Sequence, residues 1–273
     1  MFKNKYLKNP QIVIGGGIVL MLVIIAVFAP WIAPHDPIAV NIPARLNFSS
    51  TTNWLGTDAL GRDVFSRLIY GTRISLTIGV LASCFGTITG VTIGILAGYY
   101  GKWVDSLFMR LCDVLLAFPG MLLALGIVTI LGASTFNTIV AVSIFAIPGF
   151  ARVARGQTMQ LKKAEYIDAI KAVGASDFRI LTRHILPNIL SPITVQMTLY
   201  TASAIVAAAS LSFLGLGTQE PTPEWGTMLS GGREYLLQAP YLVLYPGLAI
   251  LITVLGINLL GDGLRDTFRP RGR

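Results

Sequence analysis

The chain has 273 residues, 53% hydrophobic and only 12% charged, with a mean hydropathy of +0.68. That leaves too little polar surface to coat a water-soluble globule and places the chain in lipid. The formal net charge of +8 belongs to a chain that carries Lys and Arg in cytoplasmic loops and at membrane edges, which argues against a nucleic-acid partner.

The first apolar run, 11–33, follows Lys3, Lys5 and Lys8. It can cross a hydrocarbon core of about 30 Å at 1.5 Å per residue, which the shorter apolar core of a signal peptide cannot, so it is expected to persist as a helix. Residues 74–100 contain no charge and form the second expected span. Within it Ala82, Gly86, Gly90, Gly94 and Gly98 recur at every fourth position. Such a ladder admits another helix to backbone contact, and its drift of about 40° per step around the helix implies a crossing partner. The alternative is glycine merely tolerated in lipid. The charge-free stretch 114–151 is too long for one crossing; Gly132-Ala133-Ser134-Thr135 with Asn137 divides it into two helices. Residues 185–219 and 236–261 supply the fifth and sixth. The expected fold class is all-α, a polytopic membrane protein with six transmembrane helices.

Cytoplasmic segments hold the excess of Lys and Arg. The N-terminus, 101–113, 152–183 and the C-terminal tail together carry 16 of the 21 basic residues, so both termini are expected in the cytoplasm. Residues 34–73, the turn after Gly132, and 218–235 with Glu220, Glu224 and Glu234 fall outside.

The expected spans hold no ionisable residue at depth. Asp113 and Asp262 sit at edges, and the interior offers Asn137, Gln196, Ser210, Ser212 and Asn258, which either line a wet path or bond helix to helix. Ion-gradient coupling is therefore disfavoured. No nucleotide-binding loop is present: the single Gly-Lys pair, Gly101-Lys102, is followed by Trp103. His35 and His184 fall on opposite sides, and Cys84 and Cys112 read as small buried hydrophobes, so no catalytic, cofactor or metal residues are expected. Work on a substrate must come from a separate ATPase.

The connection 152–183 is the candidate receiver. From Gln160 to Arg183 apolar and charged residues mix as in short amphipathic helices, broken at Gly174, with Ser176 and Asp177 as capping types for a second helix. On physics alone it could equally rest on anionic lipid.

The string from Glu165 to Ser176 and on to Asn188 resembles the "EAA" cytoplasmic motif of bacterial binding-protein-dependent ABC importer permeases: E-A-A, three residues, Gly, nine residues, I-x-L-P. Asp168-Ala169-Ile170 stands at E-A-A, and Gly174, Leu186 and Pro187 match; Asp for Glu, Ile for Ala, and His184 at the Ile are departures. Trp54-Leu55-Gly56-Thr57-Asp58 with Gly61-Arg62-Asp63, Leu211 to Gly217 with Trp225-Gly226-Thr227, and Asn258 to Asp266 resemble further blocks of the dipeptide and oligopeptide "C"-type subunits. The resemblance implies a division into an N-terminal helix with external segment (1–73) and a five-helix permease core (74–273) with a coupling loop at 152–187. It implies import of di- or oligopeptides, with nickel or a metal chelate as the rival ligand. The implied partners are a second, different permease, two cytoplasmic ATPases and an external binding protein, at a bacterial cytoplasmic membrane. Glu165, Asp168, Ala169, Gly174, Leu186 and Pro187 are the implied ATPase-coupling residues.

Overall fold

The computed structural model describes residues 9–268; Lys3, Lys5, Lys8, Arg269, Arg271 and Arg273, which enter the charge count, lie outside them. Among the described residues the helices are, in order, α1 (Pro10–Ile32), α2 (Val64–Tyr100), α3 (Lys102–Leu116), α4 (Gly120–Leu131), α5 (Thr135–Leu161), α6 (Glu165–Ala172), α7 (Asp177–Ile180), α8 (Leu186–Phe213), α9 (Trp225–Gly232) and α10 (Tyr241–Phe268). A π turn, Leu181–Ile185, makes α7 and α8 continuous. Among the described residues five helices are long and apolar enough to cross a membrane, and up to six crossings result if α3 and α4 count as one broken span.

Asn9 Nδ2 donates to the Gly263 carbonyl (3.3 Å), so α1 begins where α10 ends. That side of the bundle is the terminal end; the opposite side, roofed by the 33–63 and 214–240 connections, is the capped end.

Five of the six expected spans are present as single long helices among the described residues, but most of their ends lie elsewhere, because charged residues that find partners can extend a helix beyond its apolar run. α2 starts at Val64 rather than at 74: Asp63 caps it by accepting from the Ser66 amide (2.8 Å), and Arg67 is absorbed by Glu220. α5 runs past 151 to Leu161, since Arg152 pairs with Asp113 (2.7 Å) and Arg155 with Asp105 (2.5 Å). The third span differs most. The expected helix from 114 is split by Ala117-Phe118-Pro119, and α3 meets α4 at 89°. Pro119 disfavours helix at the residue before it and brings no N–H. α4 alone is about 18 Å long, short of the hydrocarbon thickness. The fifth span stops at Phe213, before 219, where Gly215 (φ 79°) turns the chain and the Leu216 amide reaches back to Leu211 O (2.9 Å). Residues 236–240 are not helical, α9 precedes them, and α10 continues through Asp262 to Phe268.

α2 and α5 form the most extensive helix pair of the fold. A Cβ placed at Gly86, Gly90, Gly94 or Gly98 would lie 2.4 Å from Ala146 Cβ, 2.6 Å from Ile147 O, 2.3 Å from Ala151 O and 2.8 Å from Arg155 O, respectively. All four glycines therefore meet one partner, which follows the ladder around α2. Because lipid tails are as apolar as the helices, this backbone-to-backbone dispersion replaces the hydrophobic effect as the holding term. α1 leans on α10 in the same way, with Gly15 against the Leu260 amide.

At the capped end, charge is buried but neutralised. Arg67, with 2% of its side chain exposed, and Arg62 share Glu220, at 3.2 Å and 2.5 Å, and Arg62 also holds Asp58 at 2.6 Å. Burial would lower the Arg62 pKa, but its hydrogen bond to Glu220 and the Asp58 charge outweigh that and raise it above its ordinary value. The fully buried Glu224 accepts from the Gly226 and Thr227 amides and from the Ser75 and Thr227 hydroxyls, so its carboxylate is satisfied by four donors while it caps α9. α9 seats on α2 through Trp225, whose indole N–H donates to Leu68 O (3.2 Å) above Gly71.

The ladder makes a quantitative prediction. Gly94→Ala should destabilise the purified protein by about 1–3 kcal/mol through overpacking. Gly247→Ala, whose new methyl meets nothing within 4 Å, should cost nothing and gain up to about 1 kcal/mol of helix propensity. Thermal unfolding of both variants in detergent, followed by circular dichroism, checks the difference.

Candidate functional site

The connection between α5 and α8 folds as the expected helix, turn and helix at the terminal end. With eight residues α6 is too short to persist alone. Its termini are favourable, with Glu165 and Asp168 in the first turn and Lys171 in the last. It ends in a Schellman turn: Gly174, at φ 81°, donates to Lys171 O (2.9 Å) and Ala175 donates to Ile170 O (3.3 Å). The break in the amphipathic pattern expected at Gly174 thus falls at a left-handed residue that ends α6. Ser176 stands at the N-cap of α7 but makes no side-chain cap bond, and the Asp177 carboxylate is taken up by Tyr99 instead.

Pro187 explains the π turn that follows. A proline in the first turn of α8 has no N–H to return to the preceding turn. There the Leu186 amide bonds to Leu181 O, five residues back, and Asn188 Nδ2 takes the His184 carbonyl (2.6 Å). Leu186 is half-buried against the α2–α5 core, whereas Pro187 is exposed.

The segment has two unlike faces. Ile167 and Ile180, with 0% exposure, are driven into a cluster with Val91, Ile95, Phe150 and Ile189. On the outside, Glu165, Tyr166, Asp168 and Ala169 are exposed, and so are Val173 (84%) and Phe178 (76%). Neither the Glu165 nor the Asp168 carboxylate has a partner among the described residues. Of the six residues singled out from sequence, Glu165, Asp168 and Ala169 thus share one exposed helix, Gly174 ends it, and Leu186 and Pro187 join the segment to α8.

Sequence reasoning did not find Tyr99, the penultimate residue of α2, which is 4% exposed. Its hydroxyl donates to Asp177 Oδ1 (2.6 Å), its carbonyl accepts from Lys162 Nζ (2.5 Å), and the Lys162 and Lys171 ammonium groups stand 5.5 Å and 5.2 Å from its ring centroid. A tyrosine ending a span beside a Lys-rich connection was the available signal.

The neutral polar groups at depth separate into two kinds. Asn137 donates to Leu131 O and Gly132 O, closing the end of α4, and Ser212 Oγ accepts from the Thr218 amide, so both are structural. Gln196 Oε1 is buried without a hydrogen-bond partner. Ser203, Ser210 and Asn258 line a cavity of about 350 Å³ between α4, α5, α8 and α10. Cys84 is half-buried and Cys112 buried, both as free thiols.

Comparison with known proteins gives this arrangement a family. Residues 90–273 match the family model described as "Binding-protein-dependent transport system inner membrane component", and residues 2–49 match "N-terminal TM domain of oligopeptide transport permease C". The chain is 52% identical over 254 residues, 93% of its length and 84% of the relative's, to the glutathione transport system permease protein GsiD of Escherichia coli O6:K15:H31, and equally to that of Shigella boydii serotype 4. Its fold is similar to a chain of the inward-facing MetNI methionine ABC transporter, with a TM-score of 0.59 at 18% identity, covering 75% of this chain and 98% of that one. The two-faced segment, the multi-pass helical bundle and the matched family model converge: the chain belongs to the binding-protein-dependent ABC transport permeases, as an inner-membrane component.

Proposed function

We propose that this subunit conducts short peptides inward across a bacterial cytoplasmic membrane, driven by ATP hydrolysed in separate subunits docked on residues 152–187. The carrying observation is the two-faced segment, keyed inward by Ile167 and Ile180 and offering Val173, Phe178 and two unpaired carboxylates outward. Large apolar side chains held rigidly in water are characteristic of a docking surface. The segment would fill a groove of the ATPase, with Glu165, Asp168 and Ala169 at the contact and Gly174, Leu186 and Pro187 fixing its attitude to α8. The other members of the complex would be a second, different permease, a second ATPase and an external binding protein. The division into a 1–73 anchor and a 74–273 core, and six crossings with both termini cytoplasmic, complete the reading.

The name of the relatives makes glutathione the first ligand to assay. Liposomes carrying the reconstituted complex and its binding protein should accumulate labelled glutathione with internal ATP and not with an imposed pH gradient alone. Uptake driven by the gradient without ATP would overturn the energy source, and ATP-driven uptake of other peptides but not glutathione would reassign the ligand.

Orientation is tested by labelling. A cysteine at Thr222, at the capped end, should react with an impermeant maleimide in intact cells, and one at Lys163 should react only after permeabilisation. The reverse pattern would invert the topology.

Gly174→Val is the sharpest test of the docking segment. No atom lies within 4 Å of a new Cβ, so the substitution acts through the left-handed backbone alone, at a cost on the order of 1–2 kcal/mol. The complex should still be inserted, while ligand-stimulated hydrolysis and transport fall together. Normal stimulation and transport would remove 152–187 as the coupling element.

A further inference from the structure

We infer that Tyr99 is a positioning residue for energy coupling, a latch by which the segment 162–177 grips the end of α2. The inference rests on the docking role proposed for 152–187. One side chain gathers three successive pieces of that segment: Lys162 at the end of α5, Lys171 in the last turn of α6, and Asp177 at the start of α7. The three pieces use two kinds of side-chain contact. The phenol O–H donates to the Asp177 carboxylate in a charge-assisted bond, two ammonium groups stand over the ring, and one of them, Lys162, also donates to the Tyr99 carbonyl at the C-terminus of α2.

The apolar contacts beneath the latch resist compression of the segment toward the bundle but are non-directional, so α6 could slide, carrying Ile167 across Val91, Ile95 and Phe150, without dragging α2. The Tyr99 contacts are directional and oppose that sliding. They also act on the helix most closely joined to α5, since Gly86, Gly90, Gly94 and Gly98 lie against its backbone. A displacement imposed on α6 is therefore shared with α2 and α5 through Tyr99, and with α8 through the continuous helix from Asp177. Phenylalanine would keep the ring near both ammonium groups and lose only the tie to α7.

The test uses the complete reconstituted transporter with Tyr99→Phe, Asp177→Ala and the double variant. Amide exchange over 165–180 should rise about tenfold in each single variant, as expected for loss of a hydrogen bond to a charged group. ATP consumed per glutathione imported should rise several-fold with assembly and basal hydrolysis retained, and the double variant should be no worse than either single one. Unchanged exchange, or raised exchange with an unchanged ATP-to-glutathione ratio, would overturn the latch, the second outcome leaving Tyr99 a structural anchor. Loss of assembly in both single variants would overturn it in favour of folding. If the wild-type complex hydrolyses ATP but imports no glutathione, the ligand assignment fails instead. The coupling readout then becomes ATP-dependent labelling of a cysteine at Thr222, which needs no ligand and should be lost in Tyr99→Phe.

Discussion

The rest of the structure depends on the approach of α2 and α5 to backbone contact. Four glycines at a four-residue spacing let the carbonyls of Ile147, Ala151 and Arg155 come closer to α2 than any side chain would allow. A pair so joined cannot shear without lifting one backbone off the other, and it therefore behaves as a single post through the membrane. The exposed segment and the capped-end charge cluster are both attached to its ends. α5 runs directly into the exposed segment, α2 ends in Tyr99 beneath that segment, and α2 begins in the Arg62–Arg67–Glu220 cluster at the capped end.

The two ends of the post manage charge in opposite ways. At the capped end, two arginines share Glu220, Asp58 holds Arg62, and Glu224 is enclosed by four donors. Removing one member would strand a desolvated charge, so the cluster fixes one arrangement of the 33–63 and 214–240 connections against each other. At the terminal end, Glu165 and Asp168 remain in water without partners, and Val173 and Phe178 remain uncovered. The charges of the capped-end cluster are thus satisfied within this chain, although Phe48, Trp54 and Leu237 of the same two connections are exposed.

The sequence made the spans legible because hydropathy is a property of a whole run, and a chain in lipid has few ways to satisfy its backbone other than helix. The helix ends were not legible, because each depends on a partner distant in sequence: Arg152 on Asp113, Arg155 on Asp105, Arg67 on Glu220. The 89° bend escaped for another reason. A charge-free run through Phe118-Pro119-Gly120 reads as uninterrupted when only charge is counted, although the proline carries the signal. In the exposed segment Gly174 was legible, since a left-handed turn leaves a local mark in residue type. Tyr99 was not, since its role exists only when α2, α6 and α7 are brought together.

The bend and the segment bear on one another. α4 accounts for about 18 Å of the membrane, and the chain below it runs aside as α3, held to α5 by two ion pairs at Arg152 and Arg155. Ser203, Ser210 and Asn258 are the polar residues of the largely apolar cavity beside α4, and the Ser210 hydroxyl donates to Val206 O (2.8 Å) within α8. Movement of α8, continuous with α7 through the π turn, would shift the Ser203 and Ser210 side of the cavity. Movement of the α2–α5 post would shift α3 and α4 on the other side. The exposed segment is joined to α8 by covalent continuity and to the post by Tyr99, so under the docking role proposed above a push on one short helix would reach both sides of the cavity only through both connections.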